Sequence, residues 1–314
     1  ILVMLNYFKE SDNDKHPNKP LRSTNIEFQE LKPCFRKMEK NVIPLIDSHT
    51  HIQEHSEIDQ ENIVSRALLS NVRILVAAGT TIKDSEKSIG LSNRCPNVFS
   101  GVGVHPTELT STFSETEIKN LKNLASNKKV ICLSEIGIDY QDNSPDKSLQ
   151  KIAFDQQIKL AKRLNLPVVF HIRENKDEFN ASNARDAALE ILKENVGIMG
   201  IAHYFQGNWT FAKRLLDLGL YLSFAKPLLR MKELEETAIK VPDDMFVVET
   251  DSYPQPFKKD RSKWTEPYQL PTIVKKISEL RRRDIQTISQ LTTNNALNIF
   301  NKHRFLIKKQ LNDT

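Results

Sequence analysis

The chain has 314 residues, 39% of them hydrophobic and 27% charged, with a formal net charge of +5. That make-up suits a globular protein with an ample core and excludes a disordered or fibrous one. No apolar run approaches the ~20 residues of a membrane span. Three scattered cysteines (Cys34, Cys95, Cys132) offer neither a disulfide framework nor a thiolate zinc site. The cytoplasm is therefore the expected compartment, with no membrane partner.

Residues 1–43 lack strand or helix periodicity and include a polar stretch, 10–22, with Pro17 and Pro20. They are expected to form a loosely ordered extension ahead of one domain, 44–314. The opening Ile-Leu-Val-Met-Leu is too short for a signal-peptide core and has no basic region before it. Met38, just ahead of the first strand, is a candidate natural start.

From residue 44 onward, strand-like and helix-like segments alternate. Strands are expected at 44–52, 73–79, 98–105, 130–138, 167–172, 197–205, 221–224 and 245–251. Most are continuous apolar runs, as in strands buried on both faces of a parallel sheet. Amphipathic spacing predicts helices at 146–165, 208–218 and 267–283. Eight strands alternating with helices over some 250 residues predict a single-domain (β/α)8 barrel. An open doubly wound sheet is the rival, but the nine glycines form no G-x-G-x-x-G and no P-loop.

Charge is uneven along the chain. Residues 258–314 hold 13 Lys and Arg against 5 Asp and Glu, including Lys258-Lys259 and Arg281-Arg282-Arg283. A basic region of this kind suits a polyanion such as nucleic acid; a solvated helix face is the plainer explanation.

Six metal-type ligands recur where apolar runs end: His49, His51, Glu135, His171, His203 and Asp251. In a strand, residues i and i+2 share a face, so His49 and His51 can address one ion while Ser48 and Thr50 point away. Imidazoles suit zinc, manganese or iron and can share a site with carboxylates. His55 lies past the strand and is expected at the surface. Glu135 has apolar neighbours on both sides; an unpaired buried carboxylate costs several kcal/mol, so it needs a cation, either a metal or a basic side chain. Its two oxygens suit it to bridge two ions. His171, His203 and Asp251 each close an apolar run, and any one alone could be a satisfied core residue. Together they place ligands after expected strands 1, 4, 5, 6 and 8, at the carboxyl end where barrel enzymes keep their sites.

Several stretches, in order, carry a resemblance: Ile46-Asp47-Ser48-His49-Thr50-His51, Gly103-Val104-His105-Pro106, Ser134-Glu135-Ile136-Gly137-Ile138-Asp139-Tyr140, Phe170-His171-Ile172-Arg173-Glu174, His203-Tyr204-Phe205-Gln206-Gly207, and Glu249-Thr250-Asp251. With Asn295-Ala296-Leu297-Asn298-Ile299-Phe300 at the end, the chain from about 44 to 300 resembles the TatD family of metal-dependent deoxyribonucleases, within the amidohydrolase-like barrels. The resemblance implies that His49, His51 and Asp251 hold one divalent ion, His171 and His203 a second, and that Glu135 bridges them. Mg²⁺ or Mn²⁺ is expected, with Zn²⁺ as the alternative. It also implies a DNA substrate, cut from a 3′ end or on single strands by a metal-activated water, with Glu135 and Asp251 as the catalytic pair. Asp251 would position or deprotonate that water. His105 and Arg173 are candidate phosphate contacts, Arg173 for its planar fork. The rival for Arg173 is an ion pair with Glu174 or Asp177, and for His105 a cap on the Pro106 turn. Tyr140 and Trp264 are candidate stacking surfaces for bases, with packing as their plainer role.

Three positions depart from the family pattern: Ser134 for a common glycine, Gln206 for the serine of His-x-Phe-Ser-Gly, and Tyr253 set between Ser252 and Pro254. None removes a ligand, but the last two bear on the pocket mouth and so on substrate preference. Two other functions stay open from sequence: metal-dependent hydrolysis of an ester, lactone or amide, and a non-catalytic scaffold keeping the barrel. Protein partners and oligomeric state are not legible.

Overall fold

Eight short runs rich in Val, Ile, Leu and Phe become eight strands in the computed structural model, which describes residues 42–176 and 179–312. They are β1 (Leu45–Thr50), β2 (Val72–Ala78), β3 (Val98–Val102), β4 (Val130–Asp139), β5 (Val168–Arg173), β6 (Gly200–Ala202), β7 (Tyr221–Phe224) and β8 (Phe246–Val248). All pair in parallel, in sequence order from β1 to β8. The expectations for residues 1–41, the start at Met38 included, and for Asp177 lie outside the described residues.

Ten α-helices are described among these residues: α1 (Glu57–Leu69), α2 (Ile82–Arg94), α3 (Glu115–Leu124), α4 (Lys147–Leu164), α5 (Asn183–Glu194), α6 (Trp209–Leu216), α7 (Glu233–Lys240), α8 (Leu270–Arg281), α9 (Ile285–Ile299) and α10 (Arg304–Asn312). A helix follows each strand, so the expected (β/α)8 barrel is the fold.

Side-chain alternation on the strands yields two cores. Outward residues such as Leu75, Leu133, Phe170 and Phe246 pack beneath the helices. Inward residues Ile46, Ile74, Phe99, Ile131, Val169 and Val247 fill the barrel and meet Leu297 and Ile299 of α9, Phe300 just past its end, and Ile307 of α10. Two side chains fix α9 there: Thr293 donates to the Pro44 carbonyl at 2.7 Å, and Asn295 donates to the carbonyls of Asp243 and Phe246, both at 2.8 Å.

The seam between β8 and β1 lies one step beyond β8. Asp251 N–H donates to the His49 carbonyl at 3.0 Å and His51 N–H to the Ser252 carbonyl at 2.6 Å. Buried Asp47 accepts from the Thr250 N–H at 2.9 Å and hydroxyl at 2.5 Å, while the Ser48 hydroxyl donates to Val248 O at 3.0 Å. The seam thus draws Asp251 against His49 and His51.

Much of the basic C-terminal excess is structural. Arg281 lies over the Phe246 ring, pairs with Asp243 at 2.7 Å, and donates to the carbonyls of Ala238 and Val241. Arg283 joins it on Asp243. No helix among the described residues is long and apolar enough to cross a membrane.

Candidate metal centre

Glu135 stands in β4 where the register with β5 shifts, between Ser134 and Ile136. The approach of backbone around it demands glycine twice. A Cβ on Gly103 would sit 2.2 Å from the Ser134 carbonyl oxygen. Gly137 has φ +149, and a Cβ there would sit 2.0 Å from the His171 carbonyl oxygen.

The six expected ligand residues converge on this carboxylate. Its Oε2 lies 3.2 Å from His51 Nε2 and 3.6 Å from His49 Nε2; those two nitrogens are 3.2 Å apart. Asp251 Oδ1 completes this half, 3.5 Å from His51 Nε2 and 3.9 Å from His49 Nε2. The other oxygen, Oε1, lies 2.8 Å from His203 Nε2 and 3.5 Å from His171 Nδ1, with 3.4 Å between these two nitrogens. His105 Nε2 is 3.7 Å from the same oxygen. Two donors bound to one ion at ~2.1 Å sit roughly 3–3.5 Å apart, so these separations fit cation coordination. Among the described residues, three groups could hold a metal ion: His49, His51 and Asp251; His49, Glu135 and His203; and His105, Glu135 and His171.

Hydrogen bonds behind the ligands orient them. His51 Nδ1 donates to Ala78 O at 2.9 Å, His203 Nδ1 to Glu249 Oε1 at 3.2 Å, and His171 Nε2 to Asp139 Oδ2 at 3.0 Å. Each bond fixes one tautomer, so that in a neutral ring the nitrogen facing Glu135 carries the lone pair. His105 is set the other way. Its Nδ1 accepts the Thr107 N–H at 3.2 Å, which leaves the proton on Nε2, facing the cavity. Its distances would also allow coordination, in a group with Glu135 and His171.

Electrostatics point the same way. Burial alone would raise Glu135, yet the charges of His203 and His105 and hydrogen bonds from His171 and His203 hold it well below the carboxylate range. Asp251, partly buried, is lowered by its bond to His51. Burial opposes charge on His203, but Glu135 and Glu249 lift it to about 10. Burial pushes His105 down to about 3. The centre therefore concentrates buried anions that require cations, which imidazolium or metal can supply.

The backbone at Asp251 is left-handed, φ 51. That conformation is uncommon away from glycine and is held here by the seam bonds. A cavity of about 740 Å³ opens above the centre, lined by His51, His105, Glu135, His171, His203 and Asp251 and walled by Arg173, Tyr204, Gln206 and Tyr253. The departures Gln206 and Tyr253 thus sit on its wall, whereas Ser134 is buried.

Other expectations find different places. Tyr140 is 7% exposed under the Lys147 ammonium, outside the lining of this cavity. Trp264 carries Arg261 4.0 Å over its ring. His55, expected at the surface, is buried beside Trp264, because the loop after β8 folds back over it. Glu174 accepts the N–H groups of Ala184 and Arg185 at the start of α5. Sequence reasoning assigned no role to Glu249 or Asp139, the partners of His203 and His171. Both are acids in otherwise apolar strand ends, the signal that had singled out Glu135.

A parallel eight-stranded barrel with His, Glu and Asp gathered at its carboxyl rim defines a metal-dependent hydrolase. The profile described as TatD related DNase matches residues 46–301. The chain belongs to that family. A protein named uncharacterized metal-dependent hydrolase YabD, from Bacillus subtilis, is 29% identical over 264 residues, covering 82% of this chain and 98% of its own. The 3′-5′ ssDNA/RNA exonuclease TatD of Cronobacter sakazakii is 29% identical over 253 residues, covering 78% and 93%. In fold, the chain is similar to YjjV, a TatD homolog from Escherichia coli, with TM-score 0.72 and 24% identity over 82% of this chain and 98% of that one.

Proposed function

We propose that this protein hydrolyses phosphodiester bonds in DNA, acting on single strands or from 3′ ends, with two divalent ions held by the six converging residues. The observation that carries the reading is the division of Glu135: one oxygen faces His49, His51 and Asp251, the other His171 and His203. His49, His51 and Asp251 would hold one ion, His171 and His203 the second, with Glu135 shared. Bound Mg²⁺ or Mn²⁺ would acidify a water and offset charge on the diester oxygens.

The chain's own groups do the rest. Asp251, turned into the cavity by its left-handed backbone, takes the proton of the attacking water. The water oxygen bonds to phosphorus as the bond from phosphorus to the leaving sugar oxygen breaks, and the proton that Asp251 took passes to that oxygen, which leaves as a hydroxyl. His105 donates from Nε2 to a non-bridging oxygen, and Arg173, also on the wall, offers its planar fork to the same phosphate. The relative named as a 3′-5′ ssDNA/RNA exonuclease supports a nucleic-acid substrate.

The test uses end-labelled single- and double-stranded oligonucleotides, with metal analysis of the purified protein. Cleavage should stop with chelator and return with Mn²⁺. Glu135→Ala and His203→Ala should each lose about a hundred- to a thousandfold, as removal of a principal electrostatic group does. Chelator-insensitive cleavage, or full activity in both variants, defeats the reading; turnover of small esters with none of DNA would favour ester or amide hydrolysis.

A further inference from the structure

A second crevice, about 410 Å³, lies beside the metal cavity. Its walls are the short 3-10 helix after β7 (Lys226–Leu229), the 3-10 turn Pro267–Gln269 and the first turn of α8. Thr250 lines this crevice and the next residue, Asp251, lines the metal cavity, so the two spaces meet the same segment after β8. The volume falls within the ~300–1,000 Å³ typical of small-ligand pockets.

Its chemistry is two-sided. Leu229 (39% exposed) and Tyr268 (36% exposed) present apolar surface over the buried Ile273. Lys226 stands at the edge, donating to Thr265 Oγ1 at 3.2 Å, and Lys258 donates to Gln255 Oε1 at 2.5 Å. Neither of these, nor Arg230, meets a carboxylate among the described residues, whereas Lys213, Lys240 and Lys276 all do. Burial and the charges of Lys258 and Arg230 lower the Lys226 pKa, and the Arg230 charge is felt at Tyr204 on the metal-cavity wall. Lys226 on the lining, with the charges of Lys258 and Arg230 near enough to act on it, suits an anion there.

We propose that this crevice is a nucleotide subsite for the residue adjoining the scissile phosphodiester: Tyr268 and Leu229 hold its base, and Lys226, backed by Arg230 and Lys258, takes its phosphate. The assignment rests on the phosphodiesterase reading above and adds to it how a polynucleotide is told from a small diester. Base–aromatic stacking tolerates any base, so the subsite selects for strand rather than sequence. A base can enter only when unpaired, which favours single strands.

The experiment compares kcat/KM for a labelled single-stranded oligonucleotide with that for bis(4-nitrophenyl) phosphate, in Mn²⁺. In Tyr268→Ala and Lys226→Met the ratio of the two should fall roughly five- to hundredfold, the range of lost stacking contacts. The loss should lie mainly in KM, and Tyr268→Phe should keep the wild-type ratio. An unmoved ratio overturns the subsite while the phosphodiesterase reading stands. Equal losses on both substrates mark a merely structural role and overturn it too. A wild-type protein inert toward both diesters removes the reading and the subsite together.

Discussion

Glu249 is fully buried, and only one of its oxygens is occupied by hydrogen bonds: Oε1 accepts the Tyr204 N–H at 2.6 Å and the His203 Nδ1–H at 3.2 Å. Oε2 has no partner. A buried carboxylate so placed raises the basicity of the imidazole it holds and fixes its orientation. Glu249→Gln keeps the shape and the Tyr204 bond but removes the charge. Mn²⁺ affinity, followed by calorimetric titration, should drop roughly 10–100-fold, with the circular dichroism spectrum unchanged. Wild-type affinity would show that Glu249 has no such hold on the centre. At this scale the sequence pointed to candidate ligands and was silent about their supports. A histidine at a strand end advertises coordination; an acid two residues before Asp251 does not reveal which ring it will meet.

Helices position the strand ends with buried polar side chains. Gln157 of α4 receives the Val104 N–H at 2.9 Å and donates to the Val104 carbonyl at 3.0 Å, imitating a neighbouring strand next to His105. Gln150 does the same for Asp139, both bonds at 2.7 Å. Gln157→Leu fills the space but orphans two buried backbone groups. Stability in urea should fall by roughly 2–6 kcal/mol, at ~1–3 kcal/mol per unsatisfied group; a loss below about 1 kcal/mol would mean that water or backbone movement replaces the side chain. These glutamines were invisible to apolar periodicity, as was α2. Its buried face is Asp84, Ser85, Ser88, Leu91 and Ser92, with Ser88 donating to Ala77 O at 2.7 Å and Ser100 to Ser92 Oγ at 2.9 Å. Small hydroxyls let α2 lie close on β2 and β3, so it shows no apolar stripe to read. By contrast, the expected helix 146–165 appears as Lys147–Leu164, capped by Asp146, because its apolar spacing is regular.

Across the whole molecule, the candidate ligands come from β1 and the residue after it, β4, β5 and the segments after β6 and β8, so a bound ion would tie distant parts of the barrel together. Such an ion binds the folded state alone, and at a hundredfold excess over Kd stabilises it by about 2.7 kcal/mol. Adding Mn²⁺ to chelated protein should therefore raise Tm by several degrees. The rise should vanish in His49→Ala, and a Tm indifferent to Mn²⁺ in the wild-type chain would count against the centre. The barrel itself was legible, since buried parallel strands need continuous apolar runs and these recur eight times. Strand lengths were less so: 197–205 reads as one strand, but only Gly200–Ala202 pairs as such, because apolar content does not say where a chain leaves its neighbours.

What the sequence alone determined was composition-level chemistry: which acids and imidazoles sit where burial forces them to find cations, and that parallel strands would carry them. What only the tertiary structure decided was aim. The β8–β1 seam turns Asp251 to His51, a shift in register places the two oxygens of Glu135 on opposite sets of histidines, and Thr107 sets the His105 proton. Those outcomes depend on contacts between residues tens to hundreds apart. Local periodicity, which records only which face a side chain shows, holds no information about them.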